Sequence, residues 1–465
     1  MQIADRFPRK SKQFFLHGIG LLGVLALIGL RILAVPVTLE PDSQRYVVMG
    51  LNIADFGTLT GQGYQPHTPP QPGLGQGGLL TALEIAIAAR LHEPTRQSLI
   101  CFARHAFPAT DCTGPLAALK WLYAAELAIF LFALYRIALL VFTGDAVRAW
   151  LAVLVALPCR ELWQYSRFVL GEPLFIAMAG LFLWAWLAAW KQPQRWTGWL
   201  LAGLVLGLTV LVKPSWLALG PLTLLLLFAF VWRHIGRRDL ALTGMSFAIG
   251  FALPTAAFLL RNYIQLGHWI MSDPNYLIGN LSHRFAFNMM SWREWGMGWI
   301  YYLPDFGDNI AVKLFGTDAV ARLGWGPASL YVYGRDVLQV AMQKLSPSEA
   351  QQQILQAYAL NDPLKNIAVT ALLAFRGLFI GGKWGLYGLL ASVVTMIWLL
   401  RGEQRRLWLL LLLPALIMAG VNAQLSVSIV RYNLALVPAY ALALAAALHA
   451  CGAFVAAKTM RRDRI

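Results

Sequence analysis

Residues 173–190 read PLFIAMAGLFLWAWLAAW and contain no charged side chain. A helix needs about 20 mostly apolar residues to cross the hydrocarbon core of a bilayer. Glu172 precedes this run and Lys191 follows it, so residues 172–190 predict one membrane-spanning helix. Apolar runs of the same kind recur along the whole chain. The sequence therefore predicts an all-α polytopic membrane protein.

The composition agrees with this fold class. Of the 465 residues, 58% are hydrophobic and 13% are charged, whereas soluble domains carry about 25% charged residues. The net charge is +16, which in a soluble protein would indicate nucleic-acid binding. Here the basic residues stand in short clusters between apolar runs, a pattern typical of membrane orientation. We therefore expect the lipid bilayer as a partner and no nucleic acid.

The apolar runs and basic clusters together predict about ten membrane helices with both termini inside. These helices are expected at about 14–36, 117–142, 149–160, 172–190, 196–212, 215–232, 240–260, 383–400, 407–421 and 432–450. Two long segments then lie on the outer face and carry interfacial amphipathic helices. The predicted units are a membrane module at 1–260 with its first outer loop at 37–116, a second outer segment at 261–382, and C-terminal membrane helices at 383–465.

Residues 364–382 are ambiguous, because they are apolar enough either to span the membrane or to lie on its surface. If they spanned, the basic residues at 401–406 and 461–464 would fall outside. The positive-inside rule favours the surface position. In that arrangement the inner links are too short to build a site, so any chemistry is expected at the outer face.

Two acidic residues stand at predicted outer helix ends. Asp42 lies just beyond the first predicted membrane helix and could act as a general base. It could equally cap the helix that follows, and its spacing alone favours that role. Glu172 with Pro173 opens a membrane helix, and this pair is also ordinary helix-start chemistry.

Three basic residues lie at membrane depth or at outer helix ends. Arg31 falls inside the first predicted helix, Lys213 at an outer turn, and Arg431 at the start of the last helix. Ionisable groups at such depth are candidates for function. The simpler interpretation is that their long side chains extend to the interface.

The second outer segment is rich in aromatic residues, which could stack on sugars or form an interfacial belt. In the first outer loop, Cys101 and Cys112 are close enough in sequence to form a disulfide in an oxidising compartment. Zinc-ligand patterns, a P-loop and a nucleophile elbow are absent. The sequence therefore predicts no metal ligands and no certain cofactor, and it leaves a divalent ion near Asp42 open.

Several short motifs, in order along the chain, resemble one known group. These are Asp42 to Tyr46 after a helix with an internal arginine, YQPHTPP at 64–70, EPLF at 172–175, VKPSW at 212–216, Arg261-Asn-Tyr, and Arg431-Tyr432. Together they resemble the GT-C superfamily of polyprenyl-phosphate-sugar glycosyltransferases, in the branch of the aminoarabinose transferases and protein mannosyltransferases. Many members have Asp-Glu where this chain has Asp42-Ser43.

The resemblance implies a GT-C-like bundle and an inverting glycosyltransferase in a bacterial inner membrane, with its site on the periplasmic or extracellular face. The donor would be a polyprenyl-phosphate-linked sugar, and the acceptor a lipid, a glycan or a protein. Asp42 would be the catalytic carboxylate. The donor phosphate would meet Lys213, Arg431 and Arg261. The supporting or sugar-orienting residues would be Glu172, Tyr46 and Arg31.

A transporter or flippase of lipid-linked saccharide is the alternative. Transporters commonly contain related halves with broken helices at mid-depth. This chain has no visible internal repeat, and its charged candidates cluster at one face. Both features favour the enzyme.

Overall fold

The computed structural model describes residues 20, 22–26, 28–29, 35–75, 78–105, 112, 114–231 and 236–462. Within these ranges helices dominate, and the β structure consists of one isolated bridge between Thr38 and Phe168. The all-α prediction is therefore confirmed. Most of the predicted helix at 14–36, including Arg31, lies outside the described residues.

Five described helices are long and apolar enough to cross a membrane: Ala117–Val141, Glu172–Lys191, Arg237–Leu266, Gly402–Leu425 and Val430–Thr459. Four shorter apolar helices accompany them: Ala146–Ala156, Trp196–Val212, Pro214–Ala229 and Lys383–Leu399. These nine coincide with the nine membrane helices predicted from residue 117 onward. Hydropathy located them because each must present an apolar surface over most of its length.

Several helix boundaries differ from the prediction, and two of these differences have a local cause in the sequence. The predicted helix at 149–160 ends at Ala156, and a separate helix, Arg160–Tyr165, follows. Pro158 separates the two, since proline lacks the N–H that would continue the hydrogen-bond ladder. The helix expected at 240–260 runs from Arg237 to Leu266 and ends at Gly267, whose φ of 75° is left-handed.

The two long connecting segments are also helical. The first contains Ser43–Phe56, Leu79–Leu91 and Glu93–Arg104. The second contains Pro274–Ala286, Trp292–Tyr301, Gly307–Phe315, Thr317–Val320, Leu330–Tyr333, Gln339–Met342, Pro347–Ile354 and Pro363–Gly377.

Contacts between distant residues assign the helix ends to two faces. The Nε2 of Gln404 donates to the Oγ1 of Thr143 at 3.3 Å, so residues near 404 lie beside the link at 142–145 and close to Arg148 in the first turn of the following helix. At the opposite end of the bundle, the backbone N–H of Lys383 donates to Asp305 at 2.9 Å. We call the end of the bundle near Gln404 the basic face. We call the end near Lys383 the cavity face, because the cavities described below open there.

The helix Pro363–Gly377 stays on the cavity face. Near its beginning, Asn366 accepts from the guanidinium of Arg284, which also donates to the carbonyl of Ala423 at the end of a membrane helix. Near its end, Gly377 lies against Ser428. Both ends therefore contact elements of the cavity face, and the surface position of residues 364–382 in a membrane stays a prediction.

The membrane helices pack around a core that contains fully buried indoles, among them Trp186 and Trp199. Trp196–Val212 and Arg237–Leu266 approach most closely at Gly203 and Gly250, where an added Cβ would collide with a carbonyl of the other helix. Small residues allow such close backbone contact between membrane helices. This packing fixes the cavity-face end of Trp196–Val212, where Lys213 stands.

Candidate active site

Four of the residues singled out in the sequence meet at the cavity face. Asp42 stands at the start of Ser43–Phe56, and Glu172 is the first residue of Glu172–Lys191. Lys213 follows Trp196–Val212, and Arg431 lies in the 3₁₀ helix Val430–Leu436. All four line one cavity of about 590 Å³, which we call the main cavity.

Asp42 occupies the N-cap position but makes no capping hydrogen bond to its helix. Its Oδ2 instead accepts from the Nη2 of Arg431 at 2.8 Å. An N-cap carboxylate normally accepts from an N–H in the first turn. The capping interpretation, which spacing alone favoured, is therefore wrong for the side chain of Asp42, which is held in the cavity.

Arg431 is paired with two carboxylates. Its Nε lies 3.7 Å from the Oε1 of Glu172, in addition to the contact with Asp42. The Glu172 side chain is only 9% exposed, whereas that of Asp42 is 40% exposed. Glu172 is thus placed to orient the guanidinium from behind, and Asp42 meets it where the cavity is open.

Lys213 supplies a second cation. Its Nζ is buried and has no hydrogen-bond partner among the described residues. It lies 4.5 Å from the ring centre of Phe175 and 4.6 Å from that of Tyr432, and such cation–π contacts stabilise the charge. Burial, opposed by the negative charge of Glu172, lowers the pKa of Lys213 to about 8. An ammonium with unused donors beside a cavity suits an incoming anion.

The wall of the main cavity combines charged and apolar side chains. Its polar part includes the four residues above and Tyr46. Burial, together with the charge of Glu172, raises the pKa of Tyr46 well above its usual value, so its hydroxyl remains a donor. The remaining wall is largely apolar and includes Leu170, Val212, Leu217, Leu259, Trp269, Ile270, Met271, Leu277 and Leu425. One cavity thus offers charged groups and an apolar wall.

A second cavity of about 280 Å³ adjoins the first, and we call it the polar cavity. The two share Asp42, Arg45, Tyr276, Asn280, Ser426, Arg431 and Tyr432. Asp42 and Arg431 therefore stand at the junction of two spaces, with Glu172 and Lys213 on the side of the main cavity only. Such a junction can hold one reactant in each cavity, with the carboxylate of Asp42 between them.

The structure does not bring Arg261 to this site. Its guanidinium donates to the carbonyls of Gly73 and Leu59, both at 3.0 Å, and to the side chain of Asn262. These bonds fasten the first outer loop to the end of Arg237–Leu266. The sequence could not reveal this, because an arginine that binds backbone carbonyls has no motif of its own. Arg261 is therefore corrected from phosphate binding to loop anchoring.

The aromatic segment of the second outer loop serves mainly as core. Phe285, Phe287 and Tyr302 are buried in hydrophobic clusters. Trp325 and Tyr331 line the polar cavity. The sequence did not single out Tyr432 or Phe175 as neighbours of Lys213, although each stands in a motif quoted above. Tyr276 lines both cavities, and no pattern in the sequence singled it out.

Cys101 and Cys112 are bonded to each other in the structure. With His105 they form the one described group of at least three His, Cys, Asp or Glu side chains whose ligand atoms lie close together. Two disulfide sulfurs are not the thiolates that a zinc site requires. At the main cavity, Arg431 lies between the carboxylates of Asp42 and Glu172, in the position that a metal ion bound by both carboxylates would take.

No protein-family model matches the chain, and no curated protein matches it. Among solved structures, the oligosaccharyltransferase AglB from Archaeoglobus fulgidus, in complex with an inhibitory peptide and a dolichol-phosphate, aligns with a TM-score of 0.50 and 17% identity. At this identity the alignment shows a shared fold, a helical bundle of the GT-C-like kind. The alignment covers 96% of this chain and 52% of AglB, so the present chain spans about half the length of that protein.

A second match is ArnT from Cupriavidus metallidurans, solved bound to undecaprenyl phosphate. It is 15% identical, has a TM-score of 0.35, and is aligned over 94% of this chain and 77% of ArnT. At the level of fold, the alignment with AglB confirms the resemblance expected from the sequence motifs. The apolar helices described above agree with a multi-pass membrane fold.

Proposed function

We propose that the protein is a glycosyltransferase that moves a sugar from a polyprenyl-phosphate-linked donor to an acceptor hydroxyl or amide. One observation carries the proposal. In a single cavity with an apolar wall, Arg431 is held by Asp42 and Glu172 next to the partnerless ammonium of Lys213. Two cations at the ends of membrane helices suit a lipid phosphate, and a half-exposed carboxylate between two cavities suits general-base work.

The donor would lie in the main cavity, with its polyprenyl chain along the apolar wall and its phosphate at Lys213 and Arg431. Glu172 is a positioning residue, since it contacts the guanidinium rather than the substrate. The fold supports this assignment, because AglB shares it and was solved with a dolichol-phosphate.

Transfer would proceed by a single displacement with inversion at the anomeric carbon. The acceptor oxygen or nitrogen forms a bond to that carbon while the bond from the carbon to the phosphate oxygen breaks. The acceptor proton passes to the carboxylate of Asp42, and the electron pair of the broken bond remains on the phosphate. The developing phosphate charge is greatest as the bond breaks, so Lys213 and Arg431 stabilise the transition state more than the ground state.

We place the site on the periplasmic or extracellular side of a bacterial inner membrane. The links on the basic face carry Arg148, Lys191, Arg195, Arg237, Arg238, Arg401, Arg405 and Arg406. An excess of arginine and lysine marks the cytoplasmic side, so the cavity face is the outer one. A transporter needs binding groups that can be reached from both sides of the membrane, and these groups typically lie at mid-depth. Here the charged groups cluster at helix ends of one face.

The test is transfer of a labelled sugar by the purified full-length protein in lipid nanodiscs. A set of polyprenyl-phosphate sugars is incubated with lipid, glycan and peptide acceptors, and each fraction is counted. Asp42→Asn keeps the size of the side chain and removes its charge, so we expect at least a 100-fold loss of transfer with unchanged thermal stability. Glu40→Gln, two residues earlier and outside the lining of both cavities, is the matched control.

Wild-type turnover combined with loss in Asp42→Asn alone supports the proposal. Full activity of Asp42→Asn would contradict the role of Asp42. Absence of turnover with every donor, or transport of a lipid-linked sugar across the bilayer without transfer, would contradict the enzyme itself.

A further inference from the structure

The donor proposed above occupies the main cavity and leaves the polar cavity beside Asp42 without an assigned ligand. It lies between the helix Pro274–Ala286, the segment 325–343 and residues 426–432, and its volume is about 280 Å³. That volume is near the lower end of small-molecule pockets, which begin at roughly 300 Å³. It is reached from the carboxylate of Asp42 on the side away from Lys213.

The side chains that distinguish this cavity are amides. Asn275, Gln339 and Gln343 line the polar cavity only, and Asn280 lines both cavities. Each amide offers two donors and an acceptor without a formal charge. The charged lining residues, Asp42, Arg45 and Arg431, all belong to the junction with the main cavity. Away from that junction, the described wall pairs best with a ligand that is polar and uncharged.

Aromatic faces complete the wall. Tyr331 is stacked on His283, with ring centres 4.3 Å apart and an interplanar angle of 9°. Trp325 contacts Tyr331 edge-on at 4.8 Å and is itself 53% exposed. Burial lowers the pKa of His283, so its ring is neutral at pH 7. The guanidinium of Arg376 lies 4.4 Å from the ring centre of Trp325 but does not line the cavity. The wall thus joins aromatic side chains that are held by their neighbours to amides.

This combination of amides and aromatic rings argues against two other ligand classes, phosphorylated headgroups and lipid chains. A phosphorylated headgroup needs cations along its contact surface, and the described wall beyond the junction supplies none. A lipid chain needs the continuous apolar wall that the main cavity has and this one lacks. A ring with several hydroxyls meets both parts of the wall, because its C–H faces pack on aromatic rings and its hydroxyls pair with amides.

We propose that the polar cavity binds the acceptor, and that the acceptor is an uncharged glycan. This inference rests on the proposed glycosyltransferase function. One sugar ring lies among the amides and on the aromatic surface, and one of its hydroxyls points to Asp42. In transfer, that hydroxyl oxygen bonds to the anomeric carbon of the donor as the bond to phosphate breaks. Its proton passes to Asp42, and the phosphate keeps the electron pair.

Two tryptophans allow a crossed test. Trp325 lines the polar cavity only, and Trp269 lines the main cavity only. Kinetics are measured with full-length protein in nanodiscs, with a labelled polyprenyl-phosphate sugar and neutral oligosaccharides as acceptors. Loss of one stacking face corresponds to about a five- to tenfold change. Trp325→Ala should raise the KM of the glycan by this factor and leave the Kd of the donor unchanged, and Trp269→Ala should do the reverse.

A binding measurement keeps the test independent of turnover. Saturation-transfer NMR with the Asp42→Asn protein should detect the neutral oligosaccharide, and the signal should weaken when Trp325→Ala or Gln343→Ala is added. Transfer only to a peptide or a phosphorylated glycolipid would overturn the glycan assignment and leave the glycosyltransferase standing. An unchanged glycan KM in Trp325→Ala would also overturn the assignment. Absence of transfer to every acceptor would remove the proposed function, and with it this inference.

Discussion

The affinity for the donor should depend on pH through Lys213. Its ammonium is buried against Phe175 and Tyr432, and burial lowers its pKa to about 8. A phosphodiester donor carries one negative charge across the range from pH 7 to pH 10. If the donor binds only the charged amine, its Kd rises by the factor 1 + 10^(pH − pKa), which is about 10-fold at pH 9 and about 100-fold at pH 10. The donor Kd must rise with pH and not fall, because deprotonation of Lys213 removes the cation that binds the phosphate.

The measurement is donor binding by isothermal titration or native mass spectrometry between pH 6.5 and pH 10, with the protein in nanodiscs. Lys213→Met fills a similar volume without charge. It should bind the donor roughly 10- to 100-fold more weakly at pH 7, the value of one charge-assisted hydrogen bond. Its Kd should not depend on pH. Nearby Tyr276 does not disturb the profile, since burial raises its pKa to about 12.

Two results would refute this reasoning. A donor Kd that is the same at pH 7 and pH 10 in the wild-type protein would mean that Lys213 does not meet the phosphate. A pH dependence retained in Lys213→Met would assign the titration to another group. Folding is followed at each pH by the melting temperature, so that loss of binding is not confused with loss of structure.

Three further predictions concern neighbouring parts of the chain. In Glu172→Gln, the carboxylate that raises the pKa of Lys213 is removed, so the midpoint of the donor-affinity profile should move below pH 8; an unmoved midpoint would contradict the coupling. Replacing Cys101 and Cys112 with serine should destabilise the first outer loop by about 2–3 kcal/mol in the chain-entropy model, seen as faster proteolysis, and intact mass without reductant should show no free thiol at either position in the wild type. Glu84 is buried beside the carboxyl group of Glu126, and burial raises the pKa of Glu84. Its carboxyl ionises more readily in the unfolded chain, so the free energy of unfolding should fall between pH 5 and pH 8 by more than ~1 kcal/mol; in Glu84→Gln the melting temperatures at the two pH values should differ less.

The membrane helices were predictable from sequence because hydrocarbon imposes one requirement on every spanning segment. Such a segment must be apolar over most of its length and must satisfy its own backbone. The run 172–190 meets this requirement, and the helix begins at Glu172 as expected and ends at Lys191. The break after Ala156 was harder to place, because Pro158 interrupts a run that remains apolar on its N-terminal side.

The site was predictable in part, and for a related reason. Charged groups are costly within the bilayer, so Lys213 and Arg431 stood out against their surroundings. Arg261 became a candidate through the family resemblance, but its partners are the carbonyls of Leu59 and Gly73, which no side-chain pattern specifies. The role of Asp42 could not be decided from spacing, since a cap and a catalytic carboxylate occupy the same position in a helix. The contact with Arg431 removes the side chain of Asp42 from the capping role, and that contact is tertiary.

The pair formed by Asp42 and Arg431 also indicates why this arrangement exists. The two residues are 389 positions apart, and their side chains are 40% and 22% exposed. Ion pairs with this much exposure contribute about 0–1 kcal/mol to stability, too little to explain a contact between the first outer loop and the last membrane helix. An arginine divided between two carboxylates has a different use. The guanidinium of Arg431 can exchange its contact with Asp42 for a contact with a phosphate, while Glu172 keeps the guanidinium in place. The carboxylate of Asp42 then becomes available to an acceptor. On this reasoning, the pair is maintained for what it does when a donor arrives, and the site is complete only after the last helix has joined the bundle.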